Sequence, residues 1–321
     1  MTATANTLAD EYRALTQGCG LVDRSERGKL ALTGPDAKEF LQGQVTNDIE
    51  RLEPGHGCYA AFLTHKGKML GDMRVLDLGH ELLLDTERVA LQGLFNMIRR
   101  FKLGSDVELH KRTVELGLLS LIGPDARRIA GPVGSAEHDN ARAEIGGRKV
   151  TLVRTDVGVD VFCAADDTAT VRAALEAAGA VPASEEAAEV IRVEHGRPRY
   201  GIELDDGVIP QEAGLNERAV SFTKGCYVGQ ETVARLFYRG KPNRHLRGLR
   251  LSAPAATGDV LRLGEKEVGR VGTVVVSPVH GPIALAIVRR EAEPGETVSV
   301  GDGDTSAEVV ELPFRHTALT A

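Results

Sequence analysis

Eight residues occur twice in this chain, and the second occurrence constrains what it can fold into. Leu30-Ala31-Leu32-Thr33-Gly34-Pro35-Asp36-Ala37 returns as Leu119-Ser120-Leu121-Ile122-Gly123-Pro124-Asp125-Ala126, with six identities in eight and a spacing of 89 residues. Each copy reads as an apolar or alternating strand, a Gly-Pro-Asp turn, and a helix start with an acid near its N-terminus. Gly-Pro-Asp is a common turn, but chance does not account for the matching context on both sides. The period is too long for a solenoid of short repeats. A duplicated α+β unit, two related lobes facing each other, fits the pattern.

Between the copies, Tyr59–Thr64, Met69–Leu78 and Glu81–Asp85 read as strands. Thr86–Lys102 reads as a helix with Leu91, Leu94, Phe95, Ile98 and Phe101 on its core face. After the second copy, residues 149–154 and 157–164 suggest a hairpin, followed by helices over 167–178 and 184–196. Ser184 is the expected N-cap of the latter, with Glu185 and Glu186 in its first turn. Beyond Lys241-Pro242 the pattern changes to short alternating runs separated by glycines and prolines, the signature of a small antiparallel barrel or sandwich. The expected division is a two-lobed region over 1–241 and a β-barrel domain over 242–321.

The 321 residues carry 26% charged and 42% hydrophobic side chains, ordinary values for a soluble globular protein. A net charge of −7 argues against bulk nucleic-acid binding. The start, Met1 to Gln17, has no apolar core for a signal peptide, and the longest apolar runs are strand length. The expectation is a cytoplasmic protein with no membrane partner. Cys19, Cys58, Cys163 and Cys226 form no CxxC pair, so no disulfide framework and no local metal site is encoded.

One of those cysteines stands apart. Lys224-Gly225-Cys226-Tyr227-Val228-Gly229-Gln230-Glu231 sets a thiol beside a lysine, between two glycines, ahead of a helix expected over Thr232–Arg239. Val233, Leu236 and Phe237 share a face of that helix. A helix N-terminus and Lys224 would both favour the thiolate of Cys226. The plain alternative is a small buried apolar residue in a tight turn. Glu194 ends the 184–196 helix and could grip an amidine-like edge through two parallel hydrogen bonds; equally, it could be a solvated glutamate paired with Arg192 or Arg197. Arg235 to Arg250 holds six Lys or Arg residues and no acid, which suits either a carboxylate- or phosphate-bearing ligand or a solvated linker. No phosphate loop, HExxH or Gly-x-Ser-x-Gly motif is present.

The octapeptide resembles the signature of the YgfZ family, folate-binding proteins related to the glycine-cleavage T-protein, an aminomethyltransferase. Phe40–Ile49, Tyr59–Asp72, Arg192–Gly201 and Ile209–Leu215 are similar to further blocks of that family in the same order. The resemblance implies an α+β, T-protein-like arrangement of three lobes around a central channel, with a C-terminal antiparallel β-barrel. It implies bound tetrahydrofolate or a one-carbon derivative, with Glu194 holding the pterin. Arg235, Tyr227 and Gln230 are the further expected ligand contacts. Where the T-protein has two adjacent acids, this chain has Gly71-Asp72, so one carboxylate is gone. That difference and the cysteine favour the YgfZ branch, whose members assist assembly or repair of iron–sulfur clusters in client enzymes. Cys226, Lys224 and Asp72 would then be the chemically active residues. The leading alternative is a folate-dependent one-carbon transferase using Asp72 as its acid–base group, and a pure interaction module is a second.

Overall fold

The computed structural model describes residues 7–315. The first repeat copy forms the strand Gly28–Thr33 and the helix Ala37–Gln42; the second forms Leu116–Ile122 and Ala126–Ala130. Both strands are almost wholly buried, because each lies inside its sheet. Gly28–Thr33 pairs with Leu82–Thr86 and Glu108–Lys111 in a five-stranded sheet. Leu116–Ile122 pairs with Gly20–Asp23 and Gly158–Ala164 in a six-stranded one. Gly34 and Gly123 turn the chain at φ +106 and +124, with the carbonyl oxygens of Asp106 and Gly18 only 2.2 and 2.5 Å from where a Cβ would sit. No side chain fits at either corner. The repeated octapeptide is one strand–turn–helix corner used once in each lobe.

Leu30, Leu32, Phe62, Val75 and Leu84 build the core of the first lobe. Leu21, Leu119, Leu121, Leu152 and Val161 build that of the second. The lobes meet through Leu76 and Leu83 on one side and Leu118, Val153 and Phe162 on the other. The third body is a closed antiparallel barrel whose six strands run from Arg244–Leu251 to Ser306–Val310, in the spatial order 244–251, 281–289, 266–277, 260–263, 297–300, 306–310. Leu249, Leu261, Val268, Val298 and Val309 fill it, as alternation along each strand requires.

The helix Glu185–Glu194 ties the second lobe to the barrel. Ser184 caps it by accepting from the Ala187 amide. Ala188 and Ile191 pack on Tyr12, Val22 and Ile122, whereas Val193 joins Leu246, Ile283 and Phe314. This helix therefore presents its C-terminal end where all three bodies meet.

Two expectations need correction. The helix read over Thr86–Lys102 begins at Leu91, because Thr86 ends the strand Leu82–Thr86 and its hydroxyl donates to the Asp72 carbonyl. Its Leu94 and Ile98 are buried, but Phe101 sits in its last turn and is exposed. No helix of the described residues is long and apolar enough to cross a membrane.

Candidate functional site

The strand Met69–Asp77 alternates side chains between its faces, so Asp72 and Arg74 point the same way out of a largely apolar run. They enter a cavity of about 200 Å³ enclosed by both lobes and the Glu185–Glu194 helix. A second recess of about 420 Å³ shares Ile122, Asp156, Val157, Ile191 and His195 with it and contains Tyr12 and Glu194.

Ion pairs brace the cavity wall. Arg74 spans the lobes, bonding Asp85 and Asp160 at 2.7 and 2.6 Å. Arg27 also grips Asp85, and Arg197 pairs with Asp156 at 2.8 Å. Burial works against ionisation of Asp85, but Arg27 and Arg74 outweigh it and hold that carboxyl at about 2. Asp72 differs. Alone among the lining carboxylates, it has no ion pair within 4 Å among the described residues. Burial pushes it up to about 6 against the hydrogen bond from the Tyr59 hydroxyl, with the charge of Glu87 adding to the rise. A carboxyl titrating there can take or give a proton near neutral pH.

Glu194 is 9% exposed and makes no ion pair within 4 Å among the described residues. The Tyr12 hydroxyl donates to both its oxygens at 3.1 and 3.0 Å, and Ser277 of the barrel donates to Oε1 at 2.5 Å. The expected alternative, a solvated glutamate on Arg192 or Arg197, does not occur: Arg192 bonds Glu189 and Glu203, and Arg197 bonds Asp156. Burial and the charge of Glu194 push the Tyr12 hydroxyl up, so it stays a donor. Oε2 keeps a lone pair for an incoming N–H group. The carboxyl group is oriented by hydroxyls and left without an ion pair, which suits an amidine-like edge.

The octapeptide lies elsewhere. Lys224 is buried, and its ammonium donates to the carbonyls of Gln42, Val45 and Asn47 at 2.5, 2.7 and 2.9 Å. Burial lowers it to about 8. It is thus committed to fixing the Gln42–Asn47 loop rather than extended toward the thiol. Tyr227 is buried in the cluster of Ala61, Leu63, Met69 and Val233. The helix begins at Gln230 with Gly229 before it, which leaves Cys226 outside the turn over which a helix terminus acts. Cys226 is exposed, while Cys19 and Cys163 are buried and Cys58 is half-buried. The expected support of its thiolate by Lys224 and a helix N-terminus therefore lacks its geometric basis. Arg235 is exposed, and neither it nor Gln230 nor Tyr227 lines the cavity. In the basic stretch, Arg244 is held by Glu212 at 3.0 and 2.8 Å and Arg250 lies over Phe314.

The sequence profile of the GCVT N-terminal domain matches residues 2–224. The chain belongs to this family. It is 30% identical over 317 residues to an aminomethyltransferase of Rubrobacter xylanophilus, covering 95% of this chain and 85% of that one. A chloroplastic transferase-type protein of Arabidopsis thaliana is also 30% identical, over 94% of this chain and 72% of its own length. The crystal structure of the glycine cleavage system aminomethyltransferase T from Bartonella henselae superposes with a TM-score of 0.84 at 21% identity, covering 96% and 90% of the two chains. The fold is the T-protein fold, α+β with a closed C-terminal barrel.

Sequence reading named Asp72 and Glu194 and missed the residues that tune them. Tyr59, Arg27 and Tyr12 were silent because each meets its carboxylate only through the fold. The one available signal was Arg74 two positions after Asp72, two charges on one face of an apolar strand.

Proposed function

We propose that the chain binds tetrahydrofolate, or a one-carbon derivative of it, where its three bodies meet, and serves as a cytoplasmic accessory protein for assembly or repair of iron–sulfur clusters in client enzymes. The observation that carries this reading is separation. The cavity and the recess beside it hold the groups suited to a pterin, whereas the exposed thiol stands outside both, in a loop braced from within by Lys224 and Tyr227. Chemistry on a cavity-bound ligand does not need Cys226; contact with another protein can use it.

Glu194, pre-oriented by Tyr12 and Ser277, accepts from the amidine-like edge of the pterin. The bound folate supplies the carriage of a one-carbon unit. The phenol of Tyr59 keeps Asp72 in place against the strand. Aromatic surface next to the thiol loop, Phe222 stacked on Phe237 at 3.7 Å with Tyr238 edge-on at 5.0 Å, gives a client a contact area. Among the described residues no group of three or more His, Cys, Asp or Glu could hold a metal ion, so the cluster is cargo of the client in this reading. Replacing Cys226 by Ala should leave tetrahydrofolate affinity within twofold and lower the activity of iron–sulfur enzymes in cells. Full client activity with Cys226→Ala would remove the accessory role.

One observation favours a second reading, a folate-dependent one-carbon transferase. Asp72 is unpaired and titrates near 6, the range of a working acid–base group. Turnover of a methylated amine donor with tetrahydrofolate, abolished in Asp72→Asn, would select it; absence of turnover by the wild type would reject it.

A further inference from the structure

Two residues that line the cavity each carry a buried polar atom with no hydrogen-bond partner among the described residues, His138 Nδ1 and Arg218 Nε. Buried polar atoms are rarely left so, because each costs the solvation it has lost. His138 is also the one non-glycine residue among those described with a positive φ, +73, a conformation that is held at a cost and concentrates at ligand sites. Its amide donates to the Arg154 carbonyl at 2.8 Å, and the residue is only 7% exposed.

The charges around this pair define what can meet it. Burial, reinforced by Arg74 and Arg218, drives His138 down to about 3, so its ring is neutral at physiological pH. Its Nε2 lies 3.7 Å from Glu137 Oε1, and Arg218 Nη2 donates to that same oxygen. A carboxylate beside Nε2 draws the ring proton there and leaves Nδ1 as an acceptor. Arg218 is neutralised by Glu137, and its guanidinium lies 5.4 Å over the Tyr59 ring, whose hydroxyl holds Asp72. What remains is one acceptor and one N–H donor with the local charge already balanced. An anion would meet Glu137, and a cation would meet Arg74 and Arg218. A neutral group with both an N–H and a C=O meets neither penalty.

We propose that His138 and Arg218 form a subsite for a neutral amide-type group of the ligand, with Nδ1 accepting from its N–H and Nε donating to its C=O. This rests on the folate reading and deepens it. Folate offers such a group twice, in the pterin lactam and in the amide joining the benzoyl ring to glutamate.

The test is calorimetric titration of three ligands into wild type, His138→Gly, His138→Asn and Glu194→Ala. The ligands are tetrahydrofolate, an analogue with an amino group in place of the pterin oxo group, and p-aminobenzoylglutamate. His138→Gly should weaken tetrahydrofolate about tenfold. Its melting temperature should not fall, since glycine takes a positive φ readily. Asparagine tolerates the same backbone and keeps an acceptor, so His138→Asn should recover part of the affinity. A lactam partner predicts that the amino analogue binds wild type about tenfold more weakly and loses nothing further in His138→Gly. A benzoyl-amide partner predicts that p-aminobenzoylglutamate binds wild type and is weakened in His138→Gly. Wild-type affinity of His138→Gly for tetrahydrofolate overturns the subsite, and loss in Glu194→Ala beside it leaves the folate reading standing. No tetrahydrofolate binding by the wild type removes both.

Discussion

The cavity and the cysteine loop use buried charge in opposite ways. In the cavity and the recess beside it, arginines and carboxylates fix one another across the lobes, and Asp72 and Glu194, which make no ion pair among the described residues, are held by hydroxyls. In the loop, the one buried cation spends all its donors on backbone carbonyls, and the thiol it precedes stands in solvent. Reactivity in the first region comes from what is withheld, a counter-charge. In the second, the buried residues supply rigidity, and exposure supplies access. A motif conspicuous in sequence can thus owe its lysine and tyrosine to scaffolding while its thiol is turned outward.

The largest effect should follow from removing the loop's internal support. Lys224→Met leaves two buried carbonyls and one part-buried carbonyl unsatisfied at roughly 1–3 kcal/mol each, so urea unfolding should show a loss of about 3 kcal/mol. A loss under 1 kcal/mol would mean that the loop is not braced by this ammonium. Asp72 gives the next effect. It titrates near 3.8 when unfolded and near 6 when folded, so the folded protein retains the extra proton between those values. Its stabilising contribution is present below about pH 4 and is lost as pH rises through 6. The stability of wild type relative to Asp72→Asn should therefore fall by on the order of 2–3 kcal/mol between pH 4 and 7. A pH-independent difference would show that Asp72 is not buried as described. Phe237→Ala removes the stack on Phe222 while leaving a surface position, and should cost about 1 kcal/mol. Smallest of all, Cys226→Ser should leave the unfolding midpoint unchanged, whereas a buried structural thiol would not tolerate the change.

The parts of the fold that were legible are those fixed by neighbours in sequence. The Gly-Pro-Asp corners, the Ser184 cap and the alternating barrel strands each depend on a few adjacent residues. The cavity depends on distant ones: Arg74 and Asp160 are 86 residues apart, and Tyr12 and Glu194 are 182. Nothing local to Glu194 distinguishes a buried, hydroxyl-bound carboxylate from a solvated one beside two arginines. Thr86 shows the same limit, since its helical spacing was overridden by a place at the end of a strand. At the octapeptide, the expected support of the thiol by Lys224 gave way to an ammonium turned inward on three carbonyls, because a lysine beside a cysteine says nothing about which way each side chain turns.

The most direct measurement is tetrahydrofolate titration into wild type, Glu194→Ala and Cys226→Ala under one set of conditions. Binding that weakens about 30-fold or more in Glu194→Ala and stays within twofold in Cys226→Ala is the result expected if ligand cavity and thiol surface are separate. Equal binding by wild type and Glu194→Ala, or loss of binding in Cys226→Ala, would contradict it.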